Sequence, residues 1–222
     1  MSGPIRVLLT DDQPLFTSGL RLVIDAWPGL RCVGEVADGA EVMPALAAET
    51  ADVLLLDLRM PRLNGLQVLR RMPPETGTRT IVLTTIRDRR ALLEALRLGA
   101  SSYLTKDARP EVLLDTIRRV HEGETAVGSA DLLELLETEQ DRHRLAEPVL
   151  PGLTPREREV FLLCARGLSN AEIAAELTVA EATAKSQLRS VMQKLGLRSR
   201  VQVAIHAYEH GIARPAVRAD RG

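Results

Sequence analysis

Apolar positions up to residue 122 follow two different spacings in turn. Five short runs of adjacent apolar and β-branched residues alternate with segments whose apolar residues recur every three or four positions. The first spacing is typical of buried strands and the second of helices packed on one face. The pattern predicts strands at residues 5–10, 31–36, 53–57, 80–84 and 102–105, and helices at residues 14–26, 39–49, 66–72, 89–98 and 110–122. Strict alternation predicts an α/β domain with a (βα)5 doubly wound parallel sheet.

Local signals indicate how the first two helices begin. Pro14 suits the first turn of a helix. Within that helix, Leu15, Leu20 and Val23 are expected to face the core. Asp38 is expected to cap the second helix with its side chain.

The third run is the most informative stretch. Its four apolar residues lie between Asp52 and Asp57 and are too few for a helix of ordinary length. They predict a strand that is buried on both faces. Asp57 then lies at the carboxyl end of the strand, where open α/β sheets bind their ligands. On this stretch alone, Asp57 can be a ligand, a nucleophile or a hydrogen-bonded cap.

Four of the five predicted strands lead into a polar group. These groups are Asp11 with Asp12, Asp57, Thr84 and Lys106. Three carboxylates repel one another unless a cation neutralises them, and Mg²⁺ is a hard ion that prefers oxygen ligands. The set indicates a phosphoryl site in which an ionised Asp57 is the nucleophile. Taken singly, Lys106 can be a solvated surface lysine and Thr84 a plain strand residue.

Residues 5–122 resemble the receiver domain of bacterial two-component response regulators, which is flavodoxin-like in fold. The resemblance rests on the strand-end residues above, on Met60-Pro61 and Asn64-Gly65 after the third strand, and on the stretch from Ala100 through Tyr103 to Lys106. It implies that Asp57 is the phosphoacceptor. It also implies that Asp12, Asp57 and the backbone carbonyl of Arg59 hold Mg²⁺, and that Asp11 helps to position the ion.

The same resemblance implies a conformational switch. Thr84 and Tyr103 are the implied switch pair, and Lys106 is the implied partner of the phosphoryl oxygen. Arg59 and Ile86 lie two residues after Asp57 and Thr84 respectively. We hypothesise that their bulk hinders the attacking water and slows autodephosphorylation.

Residues 123–152 change character and are expected to form a linker. Ser129 can cap a short helix at residues 130–143, and an extended tether follows at residues 146–152. The helix can be an interdomain seal, a dimer contact or a packed extension, and interdomain or dimer packing is favoured. His143 is expected to face solvent. The apolar stripe of this helix consists of Leu132, Leu133, Leu135 and Leu136.

Residues 153–212 are predicted to form a small all-α domain of four helices. Thr154, Pro155 and Glu157 have the spacing of a capping box with proline in the first turn, and Ser169 opens a second box. The helices are expected at residues 155–166, 170–177, 181–195 and 200–210, the last capped by Ser199. A tight turn between the second and third is typical of a helix-turn-helix.

Charge favours a polyanion as the partner of this domain. Residues 1–152 carry a net charge of −5 and residues 153–222 a net charge of +4, although such a difference can arise by chance. Cationic and amide side chains on the third helix suit DNA bases and phosphates. On charge alone, an ordinary solvated helix face is the favoured interpretation. The cationic and amide side chains are Lys185, Arg189, Lys194 and Gln187, with the hydroxyl side chains of Thr183 and Ser186 beside them.

Residues 153–211 resemble the LuxR/NarL type of helix-turn-helix. The matching segments are 153–160, 167–174, 183–185 and 194–197. The resemblance implies that Lys185, Ser186 and Arg189 read bases, and that Thr183, Gln187 and Lys194 contact the DNA backbone. It also implies that the fourth helix pairs two such domains on DNA. Alanine at positions 180 and 184 and glutamine at position 187 depart from the family pattern. Ala180 removes an expected side-chain cap of the third helix. Gln187 changes a DNA-facing position, so the target sequence cannot be inferred.

Together the resemblances identify a response regulator of the NarL/FixJ type. The implied domains are a receiver (1–122), a linker (123–152), a DNA-binding domain (153–212) and a tail (213–222). The implied partners are a sensor histidine kinase, a two-fold symmetric operator in double-stranded DNA and a second copy of the chain, which would pair through the first and last receiver helices. RNA polymerase is a further candidate partner. The chain would phosphorylate and dephosphorylate itself with Mg²⁺ but would not turn over as an enzyme.

Two other functions compete with this one. A regulator driven by a ligand or protein partner would keep the DNA-binding role, but the intact acidic set argues against it. An aspartyl-phosphate phosphatase would have a second aspartate where Arg59 stands. Cys32 and Cys164 are expected to be buried free thiols. The absence of a long apolar run or signal peptide predicts a cytoplasmic protein without a membrane partner.

Overall fold

A computed structural model describes residues 3–73, 76–85, 89–137, 150 and 152–212. The chain divides into two compact units, Met1–Ala126 and Val127–Gly222, and the division falls within the predicted linker. Cys32 and Cys164 are buried free thiols, as predicted. None of the helices in the described ranges has the length and apolarity that crossing a membrane requires.

The first unit is an alternating α/β domain, which confirms the predicted fold class. All strands are parallel, and their order across the sheet is β2-β1-β3-β4-β5. The strands are β1 (Ile5–Thr10), β2 (Leu30–Val36), β3 (Val53–Asp57), β4 (Arg79–Thr84) and β5 (Ser102–Thr105). The helices are α1 (Pro14–Asp25), α2 (Gly39–Ala48), α3 (Gly65–Arg71), α4 (Arg89–Arg97) and α5 (Pro110–Glu122).

The centre of the sheet forms the core of this unit. Every residue of β3 is buried, as its sequence predicted. Alternate strand residues point to opposite faces, and on one face Leu9, Leu55 and Ile81 pack with Ile24 of α1 and Ile117 of α5. A strand covered on both faces is held firmly, so the position of Asp57 at its end is well defined.

The first helix corrects one prediction. α1 begins at Pro14, and Leu20 and Val23 pack against the core as expected. Leu15 does not, because it is 89% exposed. Phe16 takes the inward position, since it lies four and seven residues before Leu20 and Val23 and therefore shares their side of the helix.

The second unit contains five described helices. They are α6 (Ser129–Glu137), α7 (Pro155–Ala165), α8 (Asn170–Leu177), α9 (Glu181–Lys194) and α10 (Arg200–Glu209). The last four match the four predicted helices to within a residue at each end. α6 begins one residue before the predicted start. The predicted continuation of α6 to residue 143, including His143, and the first part of the tether lie outside the described residues.

Capping explains where these helices begin. Thr154 with Glu157, Ser169 with Glu172, and Ser199 with Gln202 each form a capping box, which satisfies backbone N–H groups in the first turn. α9 begins after Ala180 without a side-chain cap, as predicted. Thr178, in the turn between α8 and α9, has a positive φ of 54°, which is unusual for a β-branched residue.

Candidate metal centre and nucleic-acid interface

The parallel sheet brings the predicted strand-end side chains to one edge. β1 and β3 are neighbours, so Asp11 and Asp57 lie close together at their carboxyl ends. The two residues are only 2% and 4% exposed. β4 and β5 extend the sheet beside β3 and carry Thr84 and Lys106 to the same edge.

Lys106 links the two buried carboxylates. Its Nζ donates a hydrogen bond to Asp57 Oδ2 at 2.9 Å and lies 2.6 Å from Asp11 Oδ2. The lysine side chain is 13% exposed, and its Nζ lies 5.1 Å from the centre of the Phe16 ring. These contacts exclude the interpretation of Lys106 as a solvated surface lysine. Phe16 was not predicted here, because its inward direction depends on the exact phase of α1.

The pKa values of the pocket reflect this crowding of charge. Burial raises the pKa of Asp11, the Lys106 ammonium opposes that rise, and the Asp57 carboxylate adds to it. Burial lowers the pKa of Lys106, but the Asp11 and Asp57 carboxylates outweigh burial and the net shift is upward. Two buried carboxylates share one ammonium, so the pocket has an excess of negative charge, which favours a further cation.

Asp12 completes a group of three carboxylates. One oxygen each from Asp11, Asp12 and Asp57 lies within 4.8 Å of the others, and only Asp12 is exposed. Such a donor set fits a hard divalent cation, which prefers carboxylate oxygens and keeps several waters. A cavity of about 240 Å³ lies beside this group and is lined by Asp12, Gln13, Asp57, Leu58, Arg59, Thr84, Thr85 and Lys106.

The loop that leaves β3 is closely fitted to the strand end. The Arg59 N–H donates a hydrogen bond to Asp57 Oδ1 at 3.2 Å, whereas the Arg59 side chain is exposed. Gly65 begins α3 so close to the strand that a Cβ atom there would overlap the Asp57 carbonyl oxygen. Only glycine fits at this position, which explains the Asn64-Gly65 pair at the end of the loop.

Asp38 has contacts that the sequence did not predict. It caps α2 as expected, by accepting a hydrogen bond from Ala40 N at 2.9 Å. Its carboxylate also accepts hydrogen bonds from Arg62 N at 2.8 Å and Leu63 N at 3.2 Å, in the loop after β3. These partners are 24 and 25 positions away along the chain, so no local sequence pattern reveals them.

The two predicted switch residues lie on neighbouring strands. Thr84 is buried at the end of β4, and its hydroxyl donates a hydrogen bond to the Thr85 carbonyl oxygen at 3.1 Å. Tyr103 lies on β5 opposite Val82 and is half-buried. The switch role of this pair stays a prediction. Ile86, one of the two residues expected to slow autodephosphorylation, lies outside the described residues.

The third helix of the second unit has one buried face and one exposed polar face. Leu188 and Val191 are buried with residues of α7 and α8 in one apolar core. Most of the side chains predicted to meet DNA lie on the solvent side. Thr183, Lys185, Ser186 and Arg189 are exposed, and Gln187 is half-buried.

Lys194 has a partner within the domain. Its Nζ lies 2.6 Å from Glu157 Oε2 and 3.3 Å from the Gly152 carbonyl oxygen. Glu157 also accepts hydrogen bonds from Ser190 Oγ at 2.7 Å and from Thr154 N at 2.8 Å. Lys194 foremost, with the Thr154 N–H and the Ser190 hydroxyl, lowers the pKa of Glu157 to about 2. The end of α9 is therefore joined to the start of α7, which the sequence did not predict.

Two known families match the two units. The response regulator receiver domain matches residues 7–118. The luxR family of bacterial regulatory proteins matches residues 151–207. The first match covers the acidic pocket, and the second covers the helix-turn-helix.

Relatives and solved structures match this chain over nearly its full length, across both units. The transcriptional regulatory protein YxjL of Bacillus subtilis is 38% identical over 214 residues, which cover 94% of this chain and 97% of YxjL. The nitrate/nitrite response regulator NarL of Escherichia coli is 32% identical over 210 residues, with the same coverage of each chain.

Among solved structures, the response regulator ChrA of a heme-sensing two-component system is 30% identical, with a TM-score of 0.52 and coverage of 96% of this chain and 100% of ChrA. A structure of two RcsB dimers bound to two parallel DNAs is 26% identical, with a TM-score of 0.55 and coverage of 93% of this chain and 99% of RcsB.

Proposed function

Because the chain belongs to the response regulators that join a receiver domain to a LuxR-family DNA-binding domain, we propose that a sensor histidine kinase phosphorylates it on Asp57. The chain is a DNA-binding transcriptional regulator of a two-component system. The observation that carries the proposal is the buried pair Asp11 and Asp57, joined by Lys106 at the carboxyl edge of the sheet.

The proposed transfer uses groups that are already in place. A carboxylate oxygen of Asp57 attacks the phosphorus of a phosphohistidine on the kinase. An O–P bond forms as the N–P bond breaks, and the histidine nitrogen keeps the electron pair of that bond and later takes a proton from water. Lys106 then binds a phosphoryl oxygen in place of the Asp57 oxygen, and the Thr84 hydroxyl turns from Thr85 to donate to another. The chain modifies its own carboxylate, so it is not a turnover enzyme.

Mg²⁺ fits the acidic group as the resident cofactor. Asp12, Asp57 and the Arg59 carbonyl would hold the ion, and Asp11 would position it. When bound, the ion would neutralise the carboxylates and the charge that develops on the phosphoryl oxygens. Three carboxylates share one ammonium, that of Lys106, and this excess of negative charge supports the assignment.

Phosphorylation is proposed to promote dimerisation through α1 and α5. Among the described residues, the exposed large hydrophobic side chains are Leu15 and Leu22 on α1, Trp27 just after it, and Val112 on α5. Leu15 and Leu22 are two helical turns apart and share one face. The Arg118 guanidinium of α5 lies 5.4 Å from the Trp27 ring centre, so the two elements form one surface. Grouped apolar residues of this kind mark protein interfaces.

The second unit is proposed to bind a two-fold symmetric operator. α9 would enter the major groove, with Lys185, Ser186 and Arg189 on base edges. Thr183 and Gln187 would contact phosphates, and Lys194 was predicted to do so. The DNA-bound RcsB dimers support a dimer on DNA. RNA polymerase is a further candidate partner of the bound dimer.

Sedimentation velocity with a phosphoryl mimic tests the switch. Wild type and Asp57→Asn would be compared with Mg²⁺, each with and without beryllofluoride. A shift from monomer to dimer in wild type alone is expected, because the mimic needs the Asp57 carboxylate. Leu22→Asp should bind the mimic but remain monomeric. The same oligomer in wild type and Asp57→Asn, or no shift in either, would contradict phosphorylation-controlled assembly.

A further inference from the structure

Asp38 has more hydrogen-bond partners than a helix cap requires. A cap needs one backbone N–H from the first turn of its helix, and Asp38 Oδ1 accepts that bond from Ala40 N. The same oxygen accepts a second bond from Leu63 N, and Oδ2 accepts a third from Arg62 N. The residue is 3% exposed. A buried carboxylate with three backbone donors fixes the positions of all three.

The two additional partners belong to the loop at the phosphoacceptor site. Residues 58–64 connect Asp57 to α3 and include Arg59, the predicted source of the carbonyl ligand. Asp57 itself holds the first part of the loop through the Arg59 N–H at 3.2 Å. At the start of α2, a Cβ atom on Gly39 would overlap the Leu63 carbonyl oxygen, so the Gly39 backbone is in direct contact with the loop. Asp38 thus holds the far part of the loop.

We propose that Asp38 is a positioning residue of the metal site, which holds the loop of residues 58–64 so that the Arg59 carbonyl faces the cation. The inference rests on the proposed function, because it concerns the cation that this function requires. Asp38 itself lies outside the group of Asp11, Asp12 and Asp57 and would not touch the ion. It acts as outer partners of metal ligands do, by fixing the orientation of a ligand.

Two substitutions separate capping from loop positioning. Serine caps helices about as well as aspartate, but its side chain is too short to reach the loop. Asp38→Ser should therefore keep α2 and release residues 62 and 63. In Asp38→Asn, the side-chain oxygen can still accept hydrogen bonds from the Ala40 and Leu63 N–H groups. The amide NH₂ would replace Oδ2 and, because it is a donor, cannot accept the Arg62 N–H. This variant should have an intermediate effect.

Asp52, the residue just before β3, offers a matched control. Its carboxylate accepts three hydrogen bonds from Arg6, from the backbone N at 2.8 Å, Nε at 3.1 Å and Nη2 at 2.8 Å. Asp52 lies at the edge of the sheet opposite the pocket. Asp52→Ser removes a similar set of bonds and should destabilise the unit without disturbing the loop.

The test is an NMR titration of the full-length chain with MgCl₂, with amide hydrogen exchange measured in the metal-free protein. In Asp38→Ser we expect Mg²⁺ binding to weaken about tenfold. Exchange of the Arg62 and Leu63 amides should accelerate on the order of tenfold. Asp52→Ser should leave both quantities unchanged.

Wild-type Mg²⁺ affinity in Asp38→Ser would overturn the inference and leave Asp38 as a helix cap only. Equal weakening in Asp38→Ser and Asp52→Ser would also overturn it, since general destabilisation would then be the cause. A different result would contradict the proposed function itself: Mg²⁺ would bind wild type no better than Asp57→Asn. The inference, which rests on that function, would then be wrong as well.

Discussion

Asp11 shows at the scale of one residue how a charged site opposes the stability of its fold. Burial is the largest cause of the raised pKa of this carboxyl. The folded chain therefore binds the Asp11 proton more tightly than the unfolded chain does. It follows that the ionised form, which dominates at neutral pH, destabilises the fold. Three carboxylates in one site therefore lower the stability of the fold in which the site is built.

Asp11→Asn is accordingly expected to be more stable than wild type at pH 7. The amide keeps an oxygen that can accept the Gln13 N–H, as Asp11 Oδ1 does at 3.0 Å. The advantage should shrink as pH falls through the raised pKa and vanish below the ordinary value of 3.8. Urea denaturation at pH 7 and at values down to below pH 3.8 measures this. Asp12→Asn, at the exposed neighbour, should change stability little, and a less stable Asp11→Asn at pH 7 would contradict the argument.

At the scale of elements, the sequence predicts those structural features that are determined by residues close together in the chain. The capping box of Thr154 and Glu157 and the buried strand before Asp57 were both found as expected, since each is written in a few adjacent residues. Leu15 was misassigned because one residue of helical phase separates the core from solvent. The positive φ of Thr178 has no local signature, because glycine or asparagine is the residue that usually marks such a turn.

Contacts between distant elements could not be predicted for the same reason. Glu157 joins α7 to α9 through Lys194 and Ser190, which are 37 and 33 positions away. The candidate site divides in the same way. Strand ends predicted which side chains meet at the pocket, because parallel strands share one carboxyl edge. The bonds from Asp38 to the loop after β3 required the folded chain.

The Glu157 link predicts an acid-sensitive second unit. In the folded chain the pKa of Glu157 is lowered from 4.5 to about 2, by Lys194 first and then by Thr154 and Ser190. A lowered pKa means that this stabilisation is present above pH 4.5 and is lost as pH falls toward 2. Denaturation across this window should show a smaller loss of stability in Glu157→Gln than in wild type. Parallel curves for the two would show that the link contributes nothing.

The same link predicts how two lysines near DNA differ. Lys185 is exposed on α9 and is proposed to read a base, so Lys185→Ala should lose about 1–3 kcal/mol of affinity for the operator and relax specificity at one position. Lys194 is already paired with Glu157, so Lys194→Ala should lower the melting temperature and leave the salt dependence of DNA binding nearly unchanged. Binding measured by fluorescence anisotropy at several salt concentrations distinguishes them. A reduced salt dependence in Lys194→Ala would restore its predicted role as a phosphate contact.

At the scale of the whole molecule, each compact unit has its own core and its own candidate site. The acidic pocket is built from Asp11, Asp57 and Lys106 within Met1–Ala126. The polar face of α9 belongs to Val127–Gly222. The described residues that build the acidic pocket all belong to the first unit, so damage to the α9 face should leave the chemistry of the pocket intact. Under the proposed function, phosphorylation would then act on DNA binding through assembly or domain release.

Two variants test this separation. Arg189→Ala should lose about 1–3 kcal/mol of affinity for an operator obtained by in vitro selection, since an exposed arginine on the recognition helix would read a base. It should still dimerise with beryllofluoride as wild type does. Asp57→Asn should bind one half-site normally but gain no affinity for the two-fold operator when the mimic is added. If Arg189→Ala lost the response to beryllofluoride together with DNA binding, the two sites would not be independent, and the division of labour between the units would be wrong.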